Sequence, residues 1–236
     1  MSTIEETVKN LPCEDGVKMD WNCPTNEFYH AKQEEQNNYD GAYFSTTFAQ
    51  ARQKLDYSYH KNPKMFRQEF QDGILKNILA STSKNLDTTS PQEEKLDGGK
   101  GMANNQKQNP WIVFTAGCMG VGKSYALSQL FQKDLFPLDM FVAIDPDKIK
   151  SELPEMAGYL AHDPESAATK VHRESTQMSD VLFEHALANQ EDILVDGSLR
   201  DVEWYKILFQ RLRSEFPMYR LAILHVSADP DIVRLR

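Results

Sequence analysis

The sequence predicts a three-layer α/β/α domain with a mainly parallel sheet, preceded by an α-helical accessory segment. Three observations carry that expectation. From Trp111 onward, short apolar runs alternate with longer stretches of helical periodicity, the texture of βαβ units. The first run leads directly into a glycine-rich turn, Gly117-Cys118-Met119-Gly120-Val121-Gly122-Lys123-Ser124, which opens a helical stretch. Two later runs end in acids, Asp145 and Asp196. Open parallel sheets bind ligands beyond the carboxyl ends of their strands, so those acids stand where chemistry is expected.

The elements follow in chain order. Residues 1–46 are rich in Asn, Glu, Gln and Tyr without lasting periodicity, and are expected to be mostly irregular. Phe48, Ala51, Leu55 and Tyr59 recur at helical steps and predict a helix over about Thr47 to His60, which Asn62-Pro63 breaks. A second helix is expected from about Pro63 to Ala80, with Phe66, Phe70, Ile74 and Ile78 on one stripe, widened by Leu75 and Leu79. Residues 47–80 thus read as a helical hairpin. Residues 81–110, dominated by Ser, Thr, Asn, Lys and Gly, bury too little to offset their ordering entropy and read as a polar linker.

Residues 111–236 form the predicted α/β domain. Strands are expected at Trp111–Ala116, Met140–Ile144, Asp192–Val195 and Arg220–Val226. Helices are expected at about Lys123–Lys133, Pro164–Asn189 and Val202–Phe216. In the longest of these, Val171, Ser175, Met178, Leu182 and His185 share a face. Its ionisable residues, His172, Arg173, Glu174, Asp180, Glu184 and His185, read mostly as a solvated face.

Composition narrows the function. The formal net charge is −9 with no block of Lys or Arg, which argues against a nucleic-acid partner. No apolar run approaches the roughly 18 residues of a membrane span. Met1–Asn10 lacks the apolar core of a secretory leader, and three cysteines without metal-type spacing point to a reducing compartment, by default the cytoplasm.

The turn from Gly117 to Ser124 matches G-x-x-x-x-G-K-S in full, which makes the predicted fold a P-loop NTPase. Its glycines let the loop curl with N–H groups inward, and the next helix presents its positive end to the same phosphates. The whole loop, Gly117, Cys118, Met119, Gly120, Val121, Gly122, Lys123 and Ser124, is the expected ATP cradle. Lys123 would neutralise the β/γ-phosphates, and Ser124 would hold Mg²⁺. Asp147, in Asp145-x-Asp147, either accepts a proton from an acceptor hydroxyl or belongs to a simple helix cap, and spacing does not separate the two. Ile193-Leu194-Val195-Asp196 has the form of a Walker B element, whose acid serves Mg²⁺. Ser198 and Arg200 either touch substrate or are a cap and a surface charge.

Val171-His172-Arg173-Glu174-Ser175 and Val195-Asp196-Gly197-Ser198-Leu199-Arg200-Asp201-Val202-Glu203-Trp204-Tyr205, set behind that P-loop, resemble the zeta-toxin domain. Arg52-Gln53-Lys54-Leu55-Asp56-Tyr57-Ser58-Tyr59-His60 and Arg67-Gln68-Glu69-Phe70-Gln71-Asp72 are similar to helices ahead of the P-loop in eukaryotic members. The resemblance covers about residues 50–80 and 111–236. It implies a kinase that uses ATP and Mg²⁺ on a sugar hydroxyl, since bacterial zeta toxins phosphorylate UDP-N-acetylglucosamine. It further implies Asp147 as general base, Lys123 as catalytic cation, and Asp180, Asp196, Ser198 and Arg200 as substrate contacts. Asp at 180 and 196 stands where the family has Glu, one methylene longer. The family also carries lid arginines after the fourth strand, where this chain stops at Arg236, and Arg234 and Arg236 come too early. A fragment or truncated chain is therefore expected. The rival expectation is a nucleotide-binding regulatory or interaction module with little turnover. By family analogy the N-terminal helices stand in for an antitoxin-like inhibitor, and on that reading deleting residues 1–105 raises activity.

Overall fold

The computed structural model describes residues 11, 17–31, 44–45, 47–86, 109–229 and 231. In chain order the elements are α1 (Thr25–Phe28), α2 (Ala49–Gln53), α3 (Met65–Leu86), β1 (Trp111–Ala116), α4 (Lys123–Gln132), β2 (Val142–Ile144), α5 (Pro146–Glu152), α6 (Glu155–His162), α7 (Ala167–Ala188), β3 (Ile193–Val195), α8 (Val202–Glu215) and β4 (Arg220–His225). A 3₁₀ turn at Leu138–Met140 precedes β2. The packing groups them into two compact units. One draws on Met1–Asn77 and Asp145–His185, the other on Ile78–Ile144 and Ala186–Arg236.

The second unit holds the sheet. Its order is β2-β3-β1-β4, all parallel, with Ile112 opposite both Ile193 and Leu221. The expected mainly parallel α/β architecture is therefore the one observed. β1 is buried from Ile112 to Ala116, as a central parallel strand covered on both faces must be. Val113, Leu127, Phe141 and Leu194 form one core cluster, with Phe136, Leu138 and Met140 packed against it. Phe114 meets Tyr205 and Phe209 of α8 edge to face. The chain leaves β1 toward β2 on one side and returns to β4 on the other, so β1 ends at a topological switch point.

The first unit is helical, and it mixes the accessory segment with α5, α6 and most of α7. The stripe expected on α3 is displaced. Arg67, Gln68, Gln71, Asp72, Leu75 and Ile78 are buried, while Phe66, Phe70 and Ile74 are only half-buried. Polar residues occupy that face because their partners are built in. Arg67 is fully buried and forks onto two buried acids: Nε and Nη2 donate to Glu174 (2.7 and 3.0 Å), Nη1 and Nη2 to Glu155 (2.8 and 3.1 Å). Tyr29 donates to Glu155 at 2.6 Å and Gln71 to Glu174 at 2.8 Å. The Arg67 guanidinium also lies 3.9 Å over the Tyr29 ring. Burial of Glu174 opposes its charge, but Arg67 and these hydrogen bonds outweigh it and hold the carboxyl below the ordinary range. A second buried pair joins Arg52 to Asp72 at 2.6 Å.

Several boundaries differ from expectation for local reasons. α2 ends at Gln53 and not at His60, because Asp56 accepts from the N–H (2.8 Å) and hydroxyl (2.6 Å) of Ser58 and closes a local turn. α3 runs past Ala80 to Leu86, inside the stretch read as linker; the hydroxyl of Ser81 bonds the Ile78 carbonyl at 2.6 Å, so a polar residue continues the helix. Residues 87–108 lie outside the described residues. Within residues 17–31, Thr25, Tyr29 and Ala31 are buried, and His30 bridges Pro63, so that piece is tied down by packing; most of the rest of 1–46 lies outside the described residues. The short helix α6 gave no separate periodic signal. Its Gly158 lies against Trp21, whose ring atoms would be 2.1 Å from an added Cβ, so only glycine admits that indole. Glu174 and Glu184, expected on a solvated face, are buried.

Candidate kinase site

Three glycines in the loop after β1 take positive φ: Gly117 at 140°, Gly120 at 79° and Gly122 at 97°. Those angles turn the chain tightly where side chains would resist it. At Gly117 an added Cβ would sit 2.4 Å from the Val226 carbonyl oxygen, so the backbone passes β4's end at a distance only glycine allows. Val121 is buried and anchors the loop, while Cys118 and Met119 are exposed. Gly122 occupies the N-cap of α4 without a side-chain cap, leaving first-turn N–H groups for an anion. Lys123 Nζ donates to the Gly117 carbonyl at 3.2 Å, which holds the ammonium across the loop. Ser124 is exposed in the first turn of α4. This arrangement fits a triphosphate.

β3 delivers the next residues beside it. Asp196 follows Val195, and its Oδ1 accepts from the buried Thr115 hydroxyl at 2.6 Å. That hydroxyl oxygen also accepts from Gly197 N–H at 3.0 Å. Thr115 therefore fixes both the acid and the main chain after it, a role the sequence did not flag because Thr reads as one more β-former. Ser198 is exposed and its carbonyl accepts from Gly117 N–H at 3.4 Å; Arg200 is exposed as well. The cap of α8 is Asp201, which accepts from Trp204 N–H at 3.1 Å, so Ser198 is not spent on that helix. Among the described residues no group of three or more His, Cys, Asp or Glu forms a metal cage. Such a cage is not needed for Mg²⁺ beside a nucleotide, which keeps waters and takes few protein ligands. Thr115→Val should cost about 1–3 kcal/mol in urea unfolding, because it strands the Gly197 N–H, whereas Thr115→Ser should cost less.

The remaining candidates belong to the helical unit, each with its own partner. The two acids after β2 divide their work. Asp145 is the N-cap of α5, accepting from Asp147 N–H (2.9 Å) and Lys148 N–H (3.1 Å), with Pro146 in the first turn. Asp147 is thereby spared capping. Its side chain is 87% exposed and paired with Lys150 at 2.7 Å. Lys150 was not read from the sequence; as a neighbour three residues on, it keeps the Asp147 carboxylate paired. Lost hydration pushes the nearby His172 imidazole below its ordinary value, Lys150 adds to that, and Asp147 pulls the other way. Asp180 accepts from His60 at 2.9 Å. Arg234 and Arg236 lie outside the described residues.

The zeta toxin family model matches residues 93–236, more than half of the chain. The chain belongs to the zeta toxin family. The match takes in the P-loop, α5 to α7, Asp196 and α8, and begins after the accessory helices. No curated protein is a significant sequence match. Among solved structures, the chain is similar to the PezAT chromosomal toxin-antitoxin system of the human pathogen Streptococcus pneumoniae, at 20% identity, over 70% of this chain and 60% of that one, with TM-score 0.48. It is also similar to AvrRxo1-ORF1:AvrRxo1-ORF2 with sulphate ions, at 15% identity, over 89% of this chain and 57% of that one, with TM-score 0.49. The same complex with ATP gives 14% identity over the same shares and TM-score 0.50. This zeta toxin family chain spans at most 60% of those structures' own length. At such identities the likeness to the ATP complex speaks for the fold alone. No helix among the described residues is long and apolar enough to cross a membrane.

Proposed function

We propose that this chain is an ATP-dependent small-molecule kinase whose acceptor is a hydroxyl of a nucleotide sugar such as UDP-N-acetylglucosamine. One observation carries the reading: the loop from Gly117 to Ser124 holds three positive-φ glycines ahead of an uncapped helix start, with Lys123 folded across it. Family membership supports transfer chemistry at that loop. Asp147 accepts the acceptor's hydroxyl proton as its oxygen bonds the γ-phosphorus and the β,γ-bridging bond breaks, leaving ADP. Lys123 balances charge on the β/γ-phosphates. Ser124 and Asp196 are the Mg²⁺ ligands of this reading, and the ion, when bound, neutralises phosphate oxygens. Asp180, Asp196, Ser198 and Arg200 hold the acceptor. We place the activity in the cytoplasm, which suits Cys23 and Cys118, both free thiols.

The test is transfer of labelled γ-phosphate to a panel of nucleotide sugars, with a fluorescent ATP analogue reporting binding separately. Asp147→Asn should lower transfer by about 10²- to 10⁴-fold, the usual worth of a positioned base, while leaving analogue binding intact. Unchanged transfer in that variant would remove Asp147 from the chemistry and leave the nucleotide loop standing.

A further inference from the structure

The accessory segment ahead of the sheet presents one side chain to an acid of the proposed acceptor site. His60 is buried, with its side chain only 5% exposed, whereas Asp180 on α7 keeps 41% of its side chain exposed. The imidazole Nε2 donates to Asp180 Oδ2 at 2.9 Å. An ionised carboxylate only accepts, so this bond fixes the tautomer with the proton on Nε2.

The turn that carries His60 is itself held in place. His60 N–H donates to the Asp56 carbonyl at 2.9 Å, and the Tyr59 ring meets the imidazole edge to face at 4.9 Å. From α7, Gln177 Nε2 donates to the Lys61 carbonyl at 2.9 Å, and the Arg173 guanidinium lies 5.7 Å over the Tyr59 ring. Asn62, next along, is buried and its carbonyl accepts from Ala31 N–H at 2.9 Å. A buried donor at the end of so constrained a turn cannot follow the carboxylate if it swings. The carboxylate must stay with the donor.

We infer that His60 is a positioning residue that holds the Asp180 carboxylate for the acceptor substrate, so that the accessory segment takes part in acceptor recognition. The inference rests on the kinase reading above. Aspartate at this place is short, and a short acid that must meet a substrate hydroxyl gains most from having one oxygen pinned. His60 touches no reacting atom; it acts through Asp180.

The experiment is steady-state kinetics on the full chain with ATP and UDP-N-acetylglucosamine. His60→Phe keeps the volume and loses the donor, while His60→Gln keeps an amide donor in similar reach. His60→Phe should raise the KM for UDP-N-acetylglucosamine by about tenfold, from loss of a hydrogen bond to a charged group, with the KM for ATP unchanged. His60→Gln should recover most of that loss. In an Asp180→Ala background, which leaves no acceptor for the imidazole, His60→Phe should add nothing further. An unchanged acceptor KM in His60→Phe would overturn the inference, as would the same rise in the Asp180→Ala background or a parallel rise in the KM for ATP. A parent chain that transfers nothing to UDP-N-acetylglucosamine would instead sink the acceptor assignment, and this inference with it. Turnover by the parent with no His60 effect would sink the inference alone.

Discussion

Arg67→Ala is expected to leave the helical unit unfolded or barely folded, with stability lowered by about 3–5 kcal/mol, the cost of orphaning a buried ion-pair partner. Two carboxylates, Glu155 and Glu174, meet this one guanidinium, and all three side chains are at most 2% exposed. Without the cation, two like charges remain side by side away from water. A protein of ordinary stability, roughly 5–15 kcal/mol, has little to spare against that. Urea unfolding followed by circular dichroism measures it. Replacing all three groups with apolar residues of similar size should restore much of the loss, because the penalty comes from unpaired charge and not from missing contacts. The same cluster sets an acid limit. The Glu174 carboxyl is held below its ordinary value, so its contribution is complete above the unfolded glutamate value and disappears as pH falls through the folded one. Glu174→Gln should therefore flatten the acid limb of stability against pH. A chain that lost Arg67 without measurable destabilisation would mean that Glu155 and Glu174 escape to water, contrary to their burial.

That cluster also changes what a truncation can report. Deleting residues 1–105 removes Arg67, Tyr29 and Gln71 together, and with them the guanidinium, phenol and amide that donate to Glu155 and Glu174. Loss of activity in the deletion would reflect collapse of α6 and α7, and so would not bear on whether the N-terminal helices occlude a site. Point substitutions on the exposed side of the accessory helices are the cleaner probe of occlusion.

The pattern of what the sequence disclosed follows from the range of each signal. All four strands lie within two residues of their expected ends. Each centres on a short continuous apolar run, buried in β1, β2 and β3 and part-exposed in the edge strand β4, and such a run needs no partner to be recognised. The glycine-rich loop after β1 is legible as a tight turn for a similar reason: its glycines, Lys123 and Ser124 are contiguous, and their conformations are local. The face of α3 was misplaced because apolar periodicity cannot see that Arg67, Gln71 and Asp72 are buried against acids and an arginine between 19 and 107 residues away. The burial of Glu174 is hidden from the sequence for the same reason, since its partner Arg67 is 107 residues away. Asp145 and Asp147 were indistinguishable by spacing, and only hydrogen bonds to two N–H groups show which of them caps α5. The Thr115 bonds to Asp196 and Gly197 and the His60–Asp180 pair left no trace, since they join residues 81 to 120 positions apart.

Lys123→Ala is expected to lower γ-phosphate transfer by about 10²- to 10³-fold, the usual loss when one preorganised electrostatic contact to developing charge is removed. The chain should stay folded. Lys123 is half-buried and its one described hydrogen bond runs to the Gly117 carbonyl, an oxygen that water can satisfy once the side chain is gone. The glycine conformations do not depend on the ammonium, and Val121 remains buried to anchor the turn. The variant thus separates two contributions of the same loop. On the proposed reading, main-chain N–H groups at the start of α4 hold phosphate whatever stands at position 123, while the ammonium adds a charge that counts most as the γ-phosphoryl group moves. Equilibrium binding of a fluorescent ATP analogue, measured beside transfer, should show a smaller loss than transfer does. Equal losses would place the lysine's contribution in ground-state binding, and no loss in either would mean that the loop does not carry a triphosphate at all.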